Sequence, residues 1–528
     1  MRWIQRHGVY SQRNPATGCT GDQFDKILTI ALHRHDKPSI MGQLRCKRVL
    51  CLLQGRLDFK RGDMALALHS VASPLPEAAM CDEERSSLGR RRVVDKGEMD
   101  ACVSLPSPSI NIASRPLRGE QLTRLAVLLT FCDPLPEECL RMLTLSRKEW
   151  GKLLCWLDIS GLSLYFVNRI VELDLCDLLP PAVFTRLHLN LIDNMQRTRS
   201  MISESIAIQQ EFQKAGFIYA NLKGLSLCPN SVPKPELRLQ FDLDFLVAEK
   251  YMPEARQILE RRGYRLNLTS GRSWEFKFNE RPWLDLKDIY KDFQSYAVDL
   301  HGESRIPGRT SPLERLEWRE LHGLRMPSLS SVDLLLGQGL HAFKHIWGGY
   351  SRASHLIEFR RHVLNRREDS SFWHELHEAA KHHPRASLEL GVVILLITRV
   401  MGEFAPPAFT TWTVDSLPRP VRLWVEMFGH RVALGAYPGN KLHLLLHKEL
   451  ELAGIAQKQK RPLRQALLPL RLPSPVIRAL PNESLPVRIR RYSRYPQLII
   501  ERLRYHIVEG FHFALERRRL RRMKEVAQ

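Results

Sequence analysis

Asp242 and Asp244 stand two residues apart in the apolar run from Phe241 to Val247. On a strand that spacing puts both carboxylates on one face and Phe241, Leu243 and Phe245 on the other. Adjacent carboxylates repel, and a divalent cation between them turns the repulsion into binding. Upstream, a short apolar run ends in Lys223-Gly224, where a glycine lets backbone come close to a bulky anion such as a triphosphate. Lys223 and Arg238 offer that anion a point charge and a planar fork. Downstream, Asp299 and His301 share one face of a further alternating run. His341 and His345 lie four apart on an expected helix, a spacing that can ligate metal, with Lys344 beside them. Each group also has a plainer reading. The aspartates could be solvated strand-edge acids, Arg238 a counter-ion for one of them, and His301 a structural histidine. For His341 and His345 packing or substrate contact is favoured over metal, and for Lys344 a solvent-facing role over phosphate contact.

The elements that must position these residues follow from hydrophobic periodicity. Residues 217–221 and 241–247 read as the strands that carry Lys223-Gly224 and the aspartate pair. A helix is expected over 252–262, with Pro253 tolerated near its start. Strands are expected at 264–268 and 273–278, then a last strand at 296–301. Before this core, 121–131 has helical spacing, broken by Pro134 and Pro136. Ser146 is positioned to cap the next helix, and 187–213 reads as one long amphipathic helix. From Ser330 onward the chain reads as helical, with breaks at Pro384, Pro406-Pro407 and Pro418 to Pro420. The organisation expected is a disordered or non-native extension over 1–118, with Met99 as an alternative start. A helical region over 119–215, a catalytic core over 216–328, a helical domain over 329–460 and a basic Pro/Arg-rich region over 461–528 complete it.

In order, Leu222-Lys223-Gly224, Arg238, Asp242-x-Asp244-x-Leu246-Val247, Arg262-Gly263-Tyr264, Asp299-Leu300-His301 and His341-x-x-x-His345 resemble a bacterial family of uncharacterised nucleotidyltransferases. That family falls within the DNA polymerase beta-like superfamily, and the likeness covers about residues 125 to 365. It implies an α+β fold, a small mixed sheet embedded in a mostly helical chain. It also implies transfer of a nucleoside monophosphate from a triphosphate, expected to be ATP, to an unidentified acceptor. Asp242, Asp244 and Asp299 would hold two Mg²⁺ ions, with Asp299 acting as ligand or as general base. Lys223, Gly224, Ser226 and Arg238 would contact the nucleotide. Three positions depart from the pattern. Leu225 replaces the usual serine after the glycine, so Ser226 or backbone must take over its phosphate contact. Phe241 replaces a small residue before the first acid. Leu356, Ile357 and Glu358 stand where the family has Trp-x-x-Asp.

Composition adds limits. The 528 residues are 44% hydrophobic, enough for real cores, and carry a net charge of +22. One triphosphate site needs only a few cations, and the excess suits polyanions. The C-terminal arginines between Arg488 and Arg522 could bind nucleic acid or anionic lipid, but they alternate with Leu, Ile and Tyr, and the polar face of ordinary surface helices is the favoured reading. The ten cysteines all precede residue 229 and form no CxxC, as expected of a reducing cytoplasm rather than a disulfide framework. No signal peptide is legible, and the longest apolar run, Leu390 to Ile397, is far short of the ~20 residues that span a bilayer. No P-loop is present, and Gly337-x-Gly339 lacks the rest of a dinucleotide fingerprint. Two rival functions stay open: a metal-dependent sugar-nucleotide glycosyltransferase, and a degenerate nucleotidyltransferase fold serving as a basic nucleic-acid-binding scaffold.

Overall fold

A computed structural model describes residues 117, 119–278, 286–292, 297–303, 310–321, 323–455, 467, 485–486, 489, 493 and 495–527. Apart from residue 117, the expectation for 1–118 lies outside the described residues, as does most of 461–494. The fold is α+β, as expected: a seven-stranded mixed sheet in a mostly helical chain.

Among the described residues, the helices α1 (Glu120–Leu129), α2 (Arg147–Ser160), α3 (Ser163–Glu172) and α4 (Pro181–Lys214) precede the sheet. Ser146 begins α2 through a capping box. Its hydroxyl accepts from the Glu149 amide while the Glu149 carboxylate accepts from the Ser146 amide, the reciprocal arrangement the S-x-x-E spacing permits. The long helix α4 starts six residues earlier than the periodicity predicts, at Pro181, where a missing amide hydrogen costs nothing.

The sheet holds β1 (Tyr219–Asn221), β2 (Asp242–Ala248), β3 (Arg265–Ser270), β4 (Ser273–Lys277), β5 (Ala297–Glu303), β6 (Leu316–Leu321) and β7 (Leu324–Leu329), in the order β3-β4-β5-β2-β1-β7-β6. Helix α5 (Met252–Arg261) connects β2 to β3. Strand β2 pairs antiparallel with β1 and parallel with β5. The alternation predicted for β2 holds. Leu243, Phe245 and Val247 enter a core shared with Phe212, Ile258, Phe276, Val298 and Leu300, and the aspartates take the opposite face. Phe212, Tyr219 and Phe245 meet edge-on within that core.

One expectation is corrected. The strand at β5 is not the last, because the hairpin β6–β7 extends the sheet on the other side of β1. Pro327 and the charged run Glu317, Arg319, Glu320 and Arg325 hide it from a propensity reading. The hairpin turns at Gly323, whose φ is +80°. Beside it the Pro327 carbonyl accepts from the Asn221 side chain, a bond that ties β7 to β1.

After the sheet come α6 (Ser331–Trp347), α7 (Ala353–Asn365), α8 (Ser370–Lys381), α9 (Ala386–Met401), α10 (Pro407–Thr410), α11 (Arg419–Ala433), α12 (His443–Leu452) and α13 (Tyr495–Ala527). Their buried faces join α1, α2 and α3 in one core, so helices from both sides of the sheet sequence pack together. Helices α6 and α9 cross closely at Gly339, where a Cβ would lie 2.2 Å from Leu390 Cδ2. The apolar run Leu390 to Ile397 is the centre of α9, nearly all of it buried. Among the described residues no single helix is long and apolar enough to cross a membrane. Helices α2 and α3 pass that test only together, bent by 110°, and both supply the core. Helix α13 docks through Phe513 and Leu520, with Glu516 pairing Arg431 and Lys524 pairing Glu449.

Candidate active site

The site lies where β2 and β5 run side by side. Their parallel register sets Asp244 opposite Asp299, and β4 brings Glu275 opposite Asp299 from the other side. Asp242 follows on the same face of β2, two residues from Asp244. Four carboxylates, Asp242, Asp244, Asp299 and Glu275, therefore crowd one patch of sheet, as the sequence spacing implies for the first two.

Their environments differ. Asp244 is only 7% exposed. Its Oδ1 accepts from Lys223 Nζ at 3.1 Å and from His301 Nε2 at 3.0 Å. Burial opposes its ionisation, but Lys223 and His301 outweigh burial and hold the carboxyl far below the usual range. Asp242 moves the other way, pushed up by burial and then by the Asp244 charge. Asp299 is pushed up to about 8, first by burial and then by Asp244, Asp242 and Glu275. Its Oδ1 is buried and has no hydrogen-bond partner. A buried, unsatisfied carboxylate oxygen facing other acids is what a cation would satisfy. Ligand atoms of Asp244, Asp299 and His301 all lie within 4.8 Å of one another. The donor set of carboxylates with one imidazole fits a hard or borderline divalent ion. His301 thus contacts Asp244 rather than Asp299, the carboxylate with which it shares a strand face.

Lys223 and Gly224 form the turn after β1. Gly224 has φ +64°, a conformation that side chains disfavour, and a Cβ there would meet the Gln240 amide nitrogen at 2.0 Å. Gln240 in turn donates to the Asp242 carbonyl, so the Lys-Gly turn is packed against the start of β2. Lys223 keeps 37% of its side chain exposed, at the mouth of the carboxylate patch. Burial favours its neutral form, but Asp244 and Asp242 outweigh this and raise its pKa.

The other expected nucleotide contacts are placed differently. Ser226 is fully buried and its hydroxyl donates to the Lys223 carbonyl, within its own turn. Leu225, in the usual serine position, is also buried. Arg238 does not pair with the sheet aspartates. Its Nε reaches Glu358 Oε1 at 3.2 Å, and Tyr165 donates to the same carboxylate at 2.9 Å. Glu358, the departure from Trp-x-x-Asp, is therefore the counter-ion that seats Arg238. That residue carried a signal in the sequence, an acid near the family's acid position, but its partner could be found only from packing. Lys344 is exposed on α6, within electrostatic reach of Lys223 and Asp244. His341 and His345 lie on the same helix, beside His355 of α7, a residue not singled out by sequence.

Acids in register on paired strands beside a Lys-Gly turn are the arrangement that the resemblance in the sequence leads one to expect. Residues 146–402 match the family model described as an uncharacterised nucleotidyltransferase. A search among curated proteins returned no match.

Proposed function

We propose that this protein is a metal-dependent nucleotidyltransferase that moves a nucleoside monophosphate from a triphosphate, with ATP the expected donor, to an acceptor hydroxyl. The observation that carries the reading is the Asp299 Oδ1 atom, buried without a partner beside Asp244 and next to Asp242. Mg²⁺ held by Asp242, Asp244 and Asp299 would supply neutralisation of the charge that gathers on the attacking and leaving oxygens. The acceptor oxygen bonds to the α-phosphorus, the bond to the bridging oxygen breaks, and pyrophosphate leaves. A cation beside Asp299 would offset the burial and neighbouring acids that push its carboxyl up, favouring the ionised form that can take the hydroxyl proton. Lys223 and exposed Lys344 flank the mouth and are assigned to the phosphates. The Gly224 turn supplies backbone approach, while Arg238, held by Glu358, acts on the nucleotide through its charge rather than as a free fork. The acceptor is not assigned.

The test is a titration of the four labelled nucleoside triphosphates into full-length protein, with and without Mg²⁺, alongside Asp242→Asn. Metal-dependent binding that the variant loses supports the reading and names the donor. Binding of a sugar nucleotide in preference to every triphosphate would replace it with glycosyl transfer. Salt-sensitive binding of RNA or DNA with no metal-dependent nucleotide binding would replace it with a scaffold role, in which the arginines of α13 become the first surface to mutate.

A further inference from the structure

We propose that His341, His345 and His355 form a second metal site, separate from the carboxylates, that takes a borderline transition-metal ion of the Zn²⁺ class with three imidazole ligands. This inference does not depend on the nucleotidyl-transfer reading.

The geometry begins with helix periodicity. His341 and His345 are one turn apart on α6 and face the start of α7, where His355 enters the cluster. The three rings form a nearly equilateral triangle, with centroids 4.7, 4.9 and 4.8 Å apart. One ligand nitrogen from each lies within 4.8 Å of the other two. The Nε2 atoms of His341 and His345 are 3.2 Å apart. In a tetrahedral zinc site with Zn–N bonds of about 2.0–2.1 Å, neighbouring nitrogens are separated by roughly 3.3 Å. That edge of the site is therefore already formed, and small side-chain rotations bring in the third nitrogen.

The chemistry of the donors agrees. His355 is 9% exposed, and its Nδ1 is buried with no hydrogen-bond partner. Burial, and then the neighbouring imidazoles and cations, keep His341 and His355 well below the ordinary histidine range, and burial with Arg352 and Lys344 holds His345 at about 3. All three rings are neutral at physiological pH, the form that ligates metal. A helix pair with no metal role needs no three imidazoles turned toward one another with an unmatched buried nitrogen among them.

The surroundings define the kind of site. Lys344, Lys223, Arg238 and Arg352 add positive charge nearby, partly offset by Glu358 and Asp244. A doubly charged ion in that field favours an anion as its fourth ligand, a hydroxide or a phosphate oxygen. Three histidines with one open position match metal sites that do chemistry or grip substrate, whereas structural zinc sites are closed by four protein ligands.

The test uses full-length protein stripped with a chelator and titrated with Co²⁺, whose visible d–d absorption is intense in a four-coordinate nitrogen site and weak in a six-coordinate oxygen site. One equivalent should bind with the intense band, and Zn²⁺ but not Mg²⁺ should displace it. His345→Gln and His355→Gln should lose the band and weaken binding by at least about 100-fold, beyond the effect of removing an outer hydrogen-bond partner. Asp242→Asn and Asp299→Asn should keep it. Absence of the intense band in the wild-type protein overturns the proposal whatever the variants do. A band that survives both histidine variants, or that the aspartate variants abolish, also overturns it. If circular dichroism shows His355→Gln to be unfolded, His341→Gln, at a less buried position, serves instead, with the same loss expected.

Discussion

At the scale of single residues, the candidate site is a set of carboxylates whose environments pull them apart. Asp244 is held ionised by Lys223 and His301, while Asp299 is pushed up by burial and by its neighbours. Such splitting of like groups marks functional sites more often than structural ones. It also sets stability against function. Asp299→Asn removes a crowded acid with an unsatisfied buried oxygen, so it should raise the melting temperature of chelator-treated protein while abolishing Mg²⁺-dependent triphosphate binding. A thermal melt and a nucleotide titration of the same sample check both halves. A variant that loses stability instead would mark Asp299 as a packing residue. Lys223→Met should weaken triphosphate binding without abolishing metal binding, because Asp244 retains His301. Isothermal titration with Mg²⁺ and with nucleotide separates the two effects.

At the scale of elements, the site depends on the turn after β1 and on how closely helices approach. Gly224→Ala places a side chain at φ +64° and against Gln240, which should cost about 1–2 kcal/mol in chemical denaturation and lower nucleotide affinity more than metal affinity. The Ser146 capping box lies at a helix start remote in sequence from the aspartates. Ser146→Ala should therefore cost about 1 kcal/mol and leave nucleotide binding unchanged. Comparing the two variants separates loss of the turn from loss of stability in general. The elements themselves were mostly legible in the sequence. The strands at β2, β4 and β5, the helix α5 and the Ser146 cap follow from periodicity and cap chemistry. The hairpin β6–β7 did not, because its strands join the sheet through pairing with β1 and tolerate Pro327 and alternating charges that local propensity rejects.

At the scale of the molecule, the helices before and after the sheet share one core that carries several buried imidazoles. His362 and His447 are held at about 3, and His430 and His443 at about 4, in each case first by burial. An unfolded histidine takes up its proton near 6.5, so between that value and 3 to 4 the unfolded chain binds more protons than the folded one. Stability is therefore full above pH of about 6.5 and falls as the pH drops through the interval. The unfolding free energy in urea should decline from pH 7 to pH 4.5, by up to about 1.4 kcal/mol per pH unit for each such ring, and His362→Gln should flatten the slope. His362 is the informative choice, since its ring is 1% exposed and lies among Ser231, Ser331 and Gln338. A pH-independent midpoint would show that these rings are accessible to protons in the folded state.

The sequence by itself determined the local chemistry: which residues alternate on β2, that Asp242 and Asp244 share a face, that the Lys-Gly turn precedes them, and which family the order of motifs resembles. These are short-range properties, fixed by strand and helix periods. Only the tertiary structure decided the partners. It placed Asp299 in register with Asp244, gave His301 to Asp244, seated Arg238 on Glu358 and turned Ser226 inward. It also gathered His341, His345 and His355 from two helices. Contacts between residues tens of positions apart depend on sheet register and helix crossing. Those are set by the packing of whole faces, here at close approaches such as Gly339 against Leu390, and no local pattern encodes them.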